Sequence, residues 1–117
     1  MRRDADYVRD ILDAAEVVRA ALTGVSRTAF LRDAVLRDHV ARRLTIVGEA
    51  AARLARETRG RAPEVDWAGV VGFRNAVVHA YFAIDWRIVW RVATRDLPEL
   101  RTRSAELLEE LEDEGHR

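Results

Sequence analysis

The fold is decided by residues 36–54, LRDHVARRLTIVGEAAARL, in which apolar side chains recur at the spacing of one helical face. Steps of four and three residues separate them, the pattern of a helix that packs along a seam against other helices. The members of this seam are Leu36, Val40, Leu44, Val47, Ala51 and Leu54. Asp33 precedes the pattern and Gly60 and Pro63 follow it, so we predict one long helix from Asp33 to about Thr58.

The segments on both sides of this helix also carry helical signals. We predict a first helix from Asp4 to Leu22, ended by Thr23-Gly24, and a short turn through Leu31 capped by Ser26. Beyond Pro63 we predict three more helices, and a bend is possible where Gly69 and Gly72 weaken the first of them. These run from Trp67 to about Phe82 with Asp66 as cap, from Trp86 to about Arg95 with Asp85 as cap, and from Pro98 onward.

No segment shows the period-two alternation of strands. Amphipathic segments joined by short loops predict an all-α fold, an antiparallel bundle of about five helices. With 117 residues, the chain has the length of a single domain, 1–117, whose acidic end, 109–117, we expect to be frayed. A domain of this size exposes much surface, so a dimer interface would stabilise it.

The composition excludes several classes of site. The chain contains no cysteine, which rules out disulfides and thiolate metal sites, and its three histidines are too scattered to predict a metal site. We expect no cofactor. No stretch approaches the roughly 18 apolar residues of a membrane span, and residues 1–10 have no signal-peptide core. We therefore expect a cytoplasmic protein with no membrane association.

The charge is unevenly placed along a chain whose formal net charge is zero. Seven arginines face three acidic residues from Arg37 to Arg61, whereas eight acidic residues face three arginines from Asp96 to Arg117. A neutral total can therefore hide a basic face and an acidic tail. Arg42 and Arg43 are candidate contacts for RNA phosphates, although a solvated helix face is the alternative interpretation.

The chemically informative stretch is GFRNAVVHAYF, residues 72–82. With Arg74 at zero and about 100° per residue, Asn75 falls at roughly 100° and His79 at roughly 140°, on one face. Tyr81 falls at roughly 340°, close to Arg74. The apolar residues Phe73, Ala76, Val77 and Ala80 form a separate stripe between roughly 200° and 300°. We predict that this stripe packs into the bundle and that the polar side chains are presented together.

This stretch resembles the R-x-x-x-x-H motif of HEPN domains, in the R-N-x-x-x-H-x-Y form of HepT-type toxins. Four further segments resemble the same family in the same order, and the extended pattern is far more specific than the short motif. They are Leu44–Ala51, Asp66-Trp67, Tyr81–Asp85 with Ile88–Trp90, and Asp96-Leu97-Pro98.

The resemblance implies a metal-independent endoribonuclease that acts as a homodimer, with motifs from two protomers facing one composite cleft. It further implies an MNT-type nucleotidyltransferase antitoxin that silences the toxin by attaching AMP to the tyrosine at position 81.

The residue types suit this chemistry. Cleavage of RNA through its own 2′-hydroxyl needs proton transfer near neutral pH, which histidine provides. A fixed guanidinium stabilises the charge that grows on the phosphate. Our hypothesis is therefore that His79 is the general acid/base and Arg74 the phosphate clamp. Asn75 either holds the imidazole in one tautomer or contacts phosphate.

Each of these residues also has an ordinary structural interpretation. His79 could be a capping or half-buried histidine, Arg74 could pair with Glu49 or Asp85, and Tyr81 could be a tyrosine at the core edge with a wet hydroxyl. At the level of the whole chain, the alternatives are a non-catalytic HEPN module that binds a nucleotidyltransferase, and a plain helical dimerisation domain.

Overall fold

In the computed structural model, which describes residues 2–115, the chain forms helices and turns without a β-strand in that range. The predicted all-α class is confirmed. Four long helices and three short ones make up the bundle, where the sequence predicted about five. They are α1 (Asp4–Leu22), α2 (Arg27–Arg32), α3 (Ala34–Arg53), α4 (Arg56–Gly60), α5 (Trp67–His79), α6 (Trp86–Arg91) and α7 (Leu97–Gly115).

Helix α3 is central, since it packs against α1 on one side and α5 on the other, while α1 also packs against α7. Contacts near both ends of α1 and α7, Arg9 with Glu112 and Glu16 with Arg101, show that these two helices run antiparallel. The core between them is apolar. Its fully buried larger side chains are Phe30, Ile11, Leu107, Val8, Val18, Val40 and Val89.

The predicted helix starts are confirmed at four caps. Ser26 accepts a hydrogen bond from the Ala29 N–H at 3.1 Å, and Asp33 accepts one from the Leu36 N–H at 3.0 Å. Asp66 and Asp85 accept from the backbone N–H groups of residues 69 and 87 in the same way. These caps satisfy backbone donors that the first helical turn leaves without partners.

The long central helix ends earlier than predicted. It ends at Arg53. Leu54 has an extended backbone and a buried side chain, and residues 56–60 form the separate helix α4. Asp4, at the start of α1, stabilises this break: its carboxylate accepts hydrogen bonds from the Ala55 N–H and the Thr58 hydroxyl. The contact spans more than 50 residues, which is why local periodicity did not indicate it.

Helices α6 and α7, predicted as separate, are joined by a wide helical turn at residues 92–96. Within this turn the Leu97 N–H donates to the Val92 carbonyl five residues earlier. Pro98 has no N–H and its ring crowds the carbonyl four residues before it. A five-residue hydrogen bond widens the helix locally, so Pro98 is accommodated without a break.

Helix α7 continues to Gly115, where the sequence suggested a frayed end over 109–117. Glutamates along this end pair with arginines of other segments: Glu112 with Arg9 and Glu114 with Arg61. These are exposed pairs of small individual value, but they tether the acidic end to α1 and to the loop after α4. Residues 116 and 117 lie outside the described part of the chain.

Candidate active site on helix α5

Helix α5 carries the motif and has α3 as its main helical neighbour. Only its first residue, Trp67, is buried, and the Trp67 indole N–H donates to the carbonyls of Arg59 and Ala62, both at 3.1 Å. The helix runs without a break through Gly69 and Gly72, so the bend that we considered there is absent. Helix α5 is therefore fixed at its start and along one side, which leaves the rest of its surface open.

The predicted burial of the apolar stripe is only partly right. Phe73 contacts the core and Val77 is half-buried, but Ala76 and Ala80 are exposed. For these two alanines the prediction is wrong, because the described chain places no second helix against this side of α5.

Arg74 lies where α5 crosses α3 most closely. A Cβ added to Gly48 of α3 would lie 2.4 Å from the Arg74 Cβ and 3.0 Å from the Val70 carbonyl oxygen. Contact distances between carbon atoms are about 3.5–4.0 Å, so only glycine permits this approach. Gly48 therefore sets the distance between the Arg74 backbone and α3.

The Arg74 guanidinium is held loosely. Its Nη1 donates to the Asn75 Oδ1 at 2.9 Å, which is the contact that joins these two predicted site residues. Its Nε is buried without a hydrogen bond and lies 3.7 Å from the Glu49 carboxylate, a distance beyond hydrogen bonding.

Asp85, the other partner considered from sequence, pairs with Arg87 instead. The Arg87 side chain, followed by the Arg87 backbone N–H, lowers the pKa of Asp85.

Asn75 and His79 are both exposed, one helical turn apart, as the helical geometry predicted. Within residues 2–115 the His79 imidazole makes no hydrogen bond or ion pair. It is therefore not half-buried, although it lies in the last turn of α5, where a capping histidine would lie. An exposed imidazole without partners can exchange protons with a bound substrate.

Tyr81 does not continue the helix, which ends at His79 where the sequence predicted about Phe82. Ala80 adopts φ −142°, and Tyr81–Ala83 form a single tight turn. Tyr81 therefore leaves the position beside Arg74 that a continuous helix would give it. Its hydroxyl donates instead to the carboxylate of Asp38 on α3. Sequence reasoning missed Asp38.

One face of α3 borders two side chains of the motif, Arg74 and Tyr81. Asp38, Arg42, Thr45 and Glu49 fall within about 60° of one another around a helix. Asp38 contacts Tyr81 near one end of this face and Glu49 approaches Arg74 near the other, so Arg42 lies between them. We call this surface, lined by Asp38, Arg42 and Glu49 with Arg74 and Tyr81, the motif groove. Arg43 points about 100° away from Arg42, so it does not share this face.

Ion pairing leaves the arginines of α3 available. Arg9, Arg61, Arg101 and Arg103 all pair with glutamates on the side of the bundle that α7 occupies. Within the described residues, Arg42, Arg43 and Arg53 have no ion pair. The predicted basic region and the acidic end of the chain meet at Arg61, whereas the positive charge of Arg42, beside the motif, has no ion pair within residues 2–115.

Apolar side chains are exposed next to the motif groove. Phe82 is fully exposed at 102% of its reference area, and Val78 and Ile88 are about half exposed. Val35, at the start of α3, is also exposed. Large apolar side chains exposed together are typical of interaction surfaces.

The motif residues lie on an open surface. A partly open groove of about 270 Å³ lies between α1 and the start of α7, and its lining includes no residue of α5. No group of three histidine, aspartate or glutamate side chains in residues 2–115 is arranged to hold a metal ion. No helix in this range has the length and apolar character needed to cross a membrane.

Comparison with known proteins identifies the family. A family model described as ribonuclease HepT-like matches residues 11–107. The chain belongs to this family. The resemblance to HepT-type HEPN proteins drawn from the sequence is therefore confirmed, and the motif groove lies within the matched part of this HepT-like ribonuclease.

Individual relatives match over most of their length. A protein of Caldanaerobacter subterraneus named "Putative RNase" is 32% identical over 93% of this chain and 97% of its own. A protein of Thermococcus cleftensis named "Probable ribonuclease HepT" is 31% identical over 86% of this chain and 91% of its own. No solved structure matches the chain.

Proposed function

We propose that this HepT-like ribonuclease is an endoribonuclease toxin whose chemistry is performed by Arg74 and His79, with Asn75 as an assisting residue. One observation carries the proposal. Helix α5 presents these three polar side chains at the surface of the bundle, with the His79 imidazole unpaired within residues 2–115 and the Arg74 guanidinium held by the Asn75 Oδ1 and an ion pair with Glu49. A helix with a purely structural role would not need this set.

The mechanism follows from the residue types. His79 takes the proton from a ribose 2′-hydroxyl, and the 2′-oxygen attacks the adjacent phosphorus. The bond from phosphorus to the 5′-oxygen breaks, leaving a 2′,3′-cyclic phosphate and a 5′-hydroxyl that receives a proton. Arg74 donates to the phosphate oxygens as negative charge accumulates there. Asn75 orients the guanidinium through the 2.9 Å contact, which adds a positioning role to those proposed from sequence.

Substrate chemistry provides the direct test. The purified protein should cleave single-stranded RNA in the presence of EDTA and leave 2′,3′-cyclic phosphate ends, detected by mass spectrometry of the fragments. An otherwise identical RNA with 2′-O-methyl groups should resist cleavage, since it has no 2′-hydroxyl to attack. Loss of cleavage in EDTA, or cleavage of the methylated RNA, would contradict the metal-independent mechanism.

Arg42 is the stronger of the two proposed phosphate contacts. It lies on the face of α3 that borders the motif groove and has no ion pair within the described residues. Arg43 faces a different direction and its Nε is buried. We propose that Arg42 contacts an RNA phosphate beside the scissile one and that Arg43 contributes little.

We propose that the active form is a homodimer in which two copies of the motif face one cleft. Each chain supplies one unpaired His79, whereas cleavage needs both a proton acceptor and a proton donor. The exposed side of α5 is small and uncharged at Gly72, Ala76 and Ala80, which permits close approach of a second copy. Phe82 beside it is fully exposed to water, although one edge contact joins its ring to that of Tyr81.

Phe82→Asp is expected to convert the dimer to a monomer without unfolding the chain. A fully exposed side chain contributes little to the stability of its own protomer, but burying a phenylalanine in an interface is worth about 1.5–3 kcal/mol. Light scattering coupled to gel filtration gives the mass, and RNA cleavage should fall in the same variant. Ala105→Asp on α7 is the matched control. A dimeric Phe82→Asp variant would contradict this interface.

We propose that an MNT-type nucleotidyltransferase acts as antitoxin by transferring AMP to Tyr81. The hydroxyl of Tyr81 lies at the surface of the motif groove, with 39% of the residue exposed. A nucleotide attached there would place bulk and negative charge beside Arg74 and Arg42, where the RNA phosphates bind. Modification would then block the substrate site directly.

Tyr81→Phe is expected to keep RNA cleavage within about twofold while abolishing AMP transfer, since it removes only the acceptor oxygen. The assay is incubation with ATP and an MNT-type nucleotidyltransferase, with the intact mass as readout. Wild-type protein is the control. If the phenylalanine variant still gains AMP, the acceptor is another residue.

A further inference from the structure

Tyr81 and Asp38 form a contact that the RNA cleavage mechanism does not use. The hydroxyl of Tyr81, on the turn after α5, donates to the carboxylate of Asp38 on α3, across 43 residues of sequence. Both side chains are exposed, so the pair lies at the surface of the motif groove.

Asp38 has no other partner. Within residues 2–115 it forms no ion pair, although Arg37 and Arg42 lie on the same helix. A carboxylate beside an RNA phosphate is repulsive, so RNA binding gives no reason for an unpaired aspartate here. The role of Asp38 must therefore concern the one group that it contacts, the Tyr81 hydroxyl.

The tyrosine ring does not need Asp38 to hold its orientation. It packs edge-on against Phe82, with ring centres 5.7 Å apart, and against Trp86 at 6.0 Å. The Arg37 guanidinium lies 5.2 Å from the Trp86 ring centre and supports it in turn. Aromatic pairs of this kind each stabilise the ring orientation by about 0.5–1.5 kcal/mol. The carboxylate therefore meets a hydroxyl that is already positioned.

We propose that Asp38 is the proton acceptor for nucleotide transfer to Tyr81, so that this chain supplies a catalytic residue for its own modification. The proposal rests on the proposed function of Tyr81 as the AMP acceptor. Aspartate has the same role in protein kinases, where the catalytic-loop aspartate accepts the proton of the substrate hydroxyl.

The step balances with ATP, bound by the nucleotidyltransferase, as co-reactant. The Tyr81 O–H proton passes to an Asp38 carboxylate oxygen as the phenolic oxygen attacks the α-phosphorus of ATP. The bond between that phosphorus and the oxygen bridging to the β-phosphate breaks, and pyrophosphate leaves with the electron pair. The products are tyrosyl-AMP and pyrophosphate, and Asp38 then releases its proton to solvent.

Asp38→Asn separates this role from positioning, because asparagine still offers an oxygen to the tyrosine hydroxyl but accepts no proton. In the complex of the full-length chain with its nucleotidyltransferase, we expect kcat for AMP transfer to fall about 10²- to 10⁴-fold with the KM for ATP unchanged. Urea unfolding of Asp38→Asn alone should match that of the wild type, which shows that the variant folds. Asp38→Glu should restore part of the transfer rate.

The matched control is Asp13→Asn, the same change at an exposed aspartate of α1 that has no hydrogen bond or ion pair within residues 2–115. Transfer at the wild-type rate by Asp38→Asn would overturn the role of Asp38 and leave Tyr81 as acceptor. Wild-type protein that gains no AMP at Tyr81, by peptide mass spectrometry, would overturn the acceptor assignment and with it the role of Asp38. An equal loss of rate in Asp13→Asn would also overturn it.

Discussion

Replacing His79 by alanine is expected to lower the rate of RNA cleavage by about 10²- to 10⁴-fold, the usual contribution of a general acid–base group. The loss should appear in kcat, because the imidazole transfers a proton in the chemical step and does not contribute to RNA binding. The measurement is cleavage of a defined RNA in EDTA by wild-type and variant protein at equal concentration.

A stability measurement separates the loss of a catalytic group from a loss of activity through unfolding. His79 is exposed and has no partner within the described residues, so the free energy of unfolding should change by no more than about 0.5 kcal/mol. His39→Ala provides the matched control, since it removes an imidazole from α3 outside the motif. Wild-type cleavage by His79→Ala would show that another group transfers the proton.

Gly48→Ala is expected to have the second large effect, on both stability and cleavage. The added Cβ would lie 2.4 Å from the Arg74 Cβ. That atom is fixed to the backbone and cannot rotate away, so α5 must move by about 1 Å to reach normal contact distance. Alanine is favoured over glycine in a helix by about 1 kcal/mol, but overpacking of this kind costs about 1–3 kcal/mol, and the clash should win.

The rate of RNA cleavage should change by a larger factor than the folding equilibrium. A displacement of about 1 Å in a group that positions a reacting phosphate can lower the rate about 10²-fold. Urea unfolding and RNA cleavage, measured on the same preparation, give the two effects. Gly60→Ala is the control, because a Cβ there meets nothing within 4 Å. A Gly48→Ala protein with full activity would show that Arg74 tolerates the shift or is not the phosphate clamp.

The sequence predicted those parts of the fold that local chemistry controls. Ser26, Asp33, Asp66 and Asp85 each begin a helix by accepting a backbone hydrogen bond two or three residues ahead, and short-range spacing is enough to recognise such caps. The shared face of Asn75 and His79 follows from helical geometry in the same way.

What the sequence did not predict depends on contacts between distant segments. Asp4 stabilises the end of α3, and a widened turn at residues 92–96 joins α6 to α7, in whose first turn Pro98 lies as predicted. The Asp38–Tyr81 contact joins α3 to the turn after α5, and periodicity cannot give the relative placement of these two segments. One signal was present in the sequence. Asp38, Arg42 and Glu49 share a polar face of α3, the helix that was predicted from its apolar seam.

The fully exposed Phe82 also bears on how activity depends on the amount of protein in a cell. If a second copy must cover this ring before the composite cleft exists, mass action makes the active species scale with the square of the chain concentration when the chain is dilute. Slow leakage of expression would then yield almost no cleavage, whereas a burst of synthesis would be amplified. A single exposed phenylalanine would thus make activity rise steeply with the concentration of the enzyme, in addition to any control exerted at Tyr81.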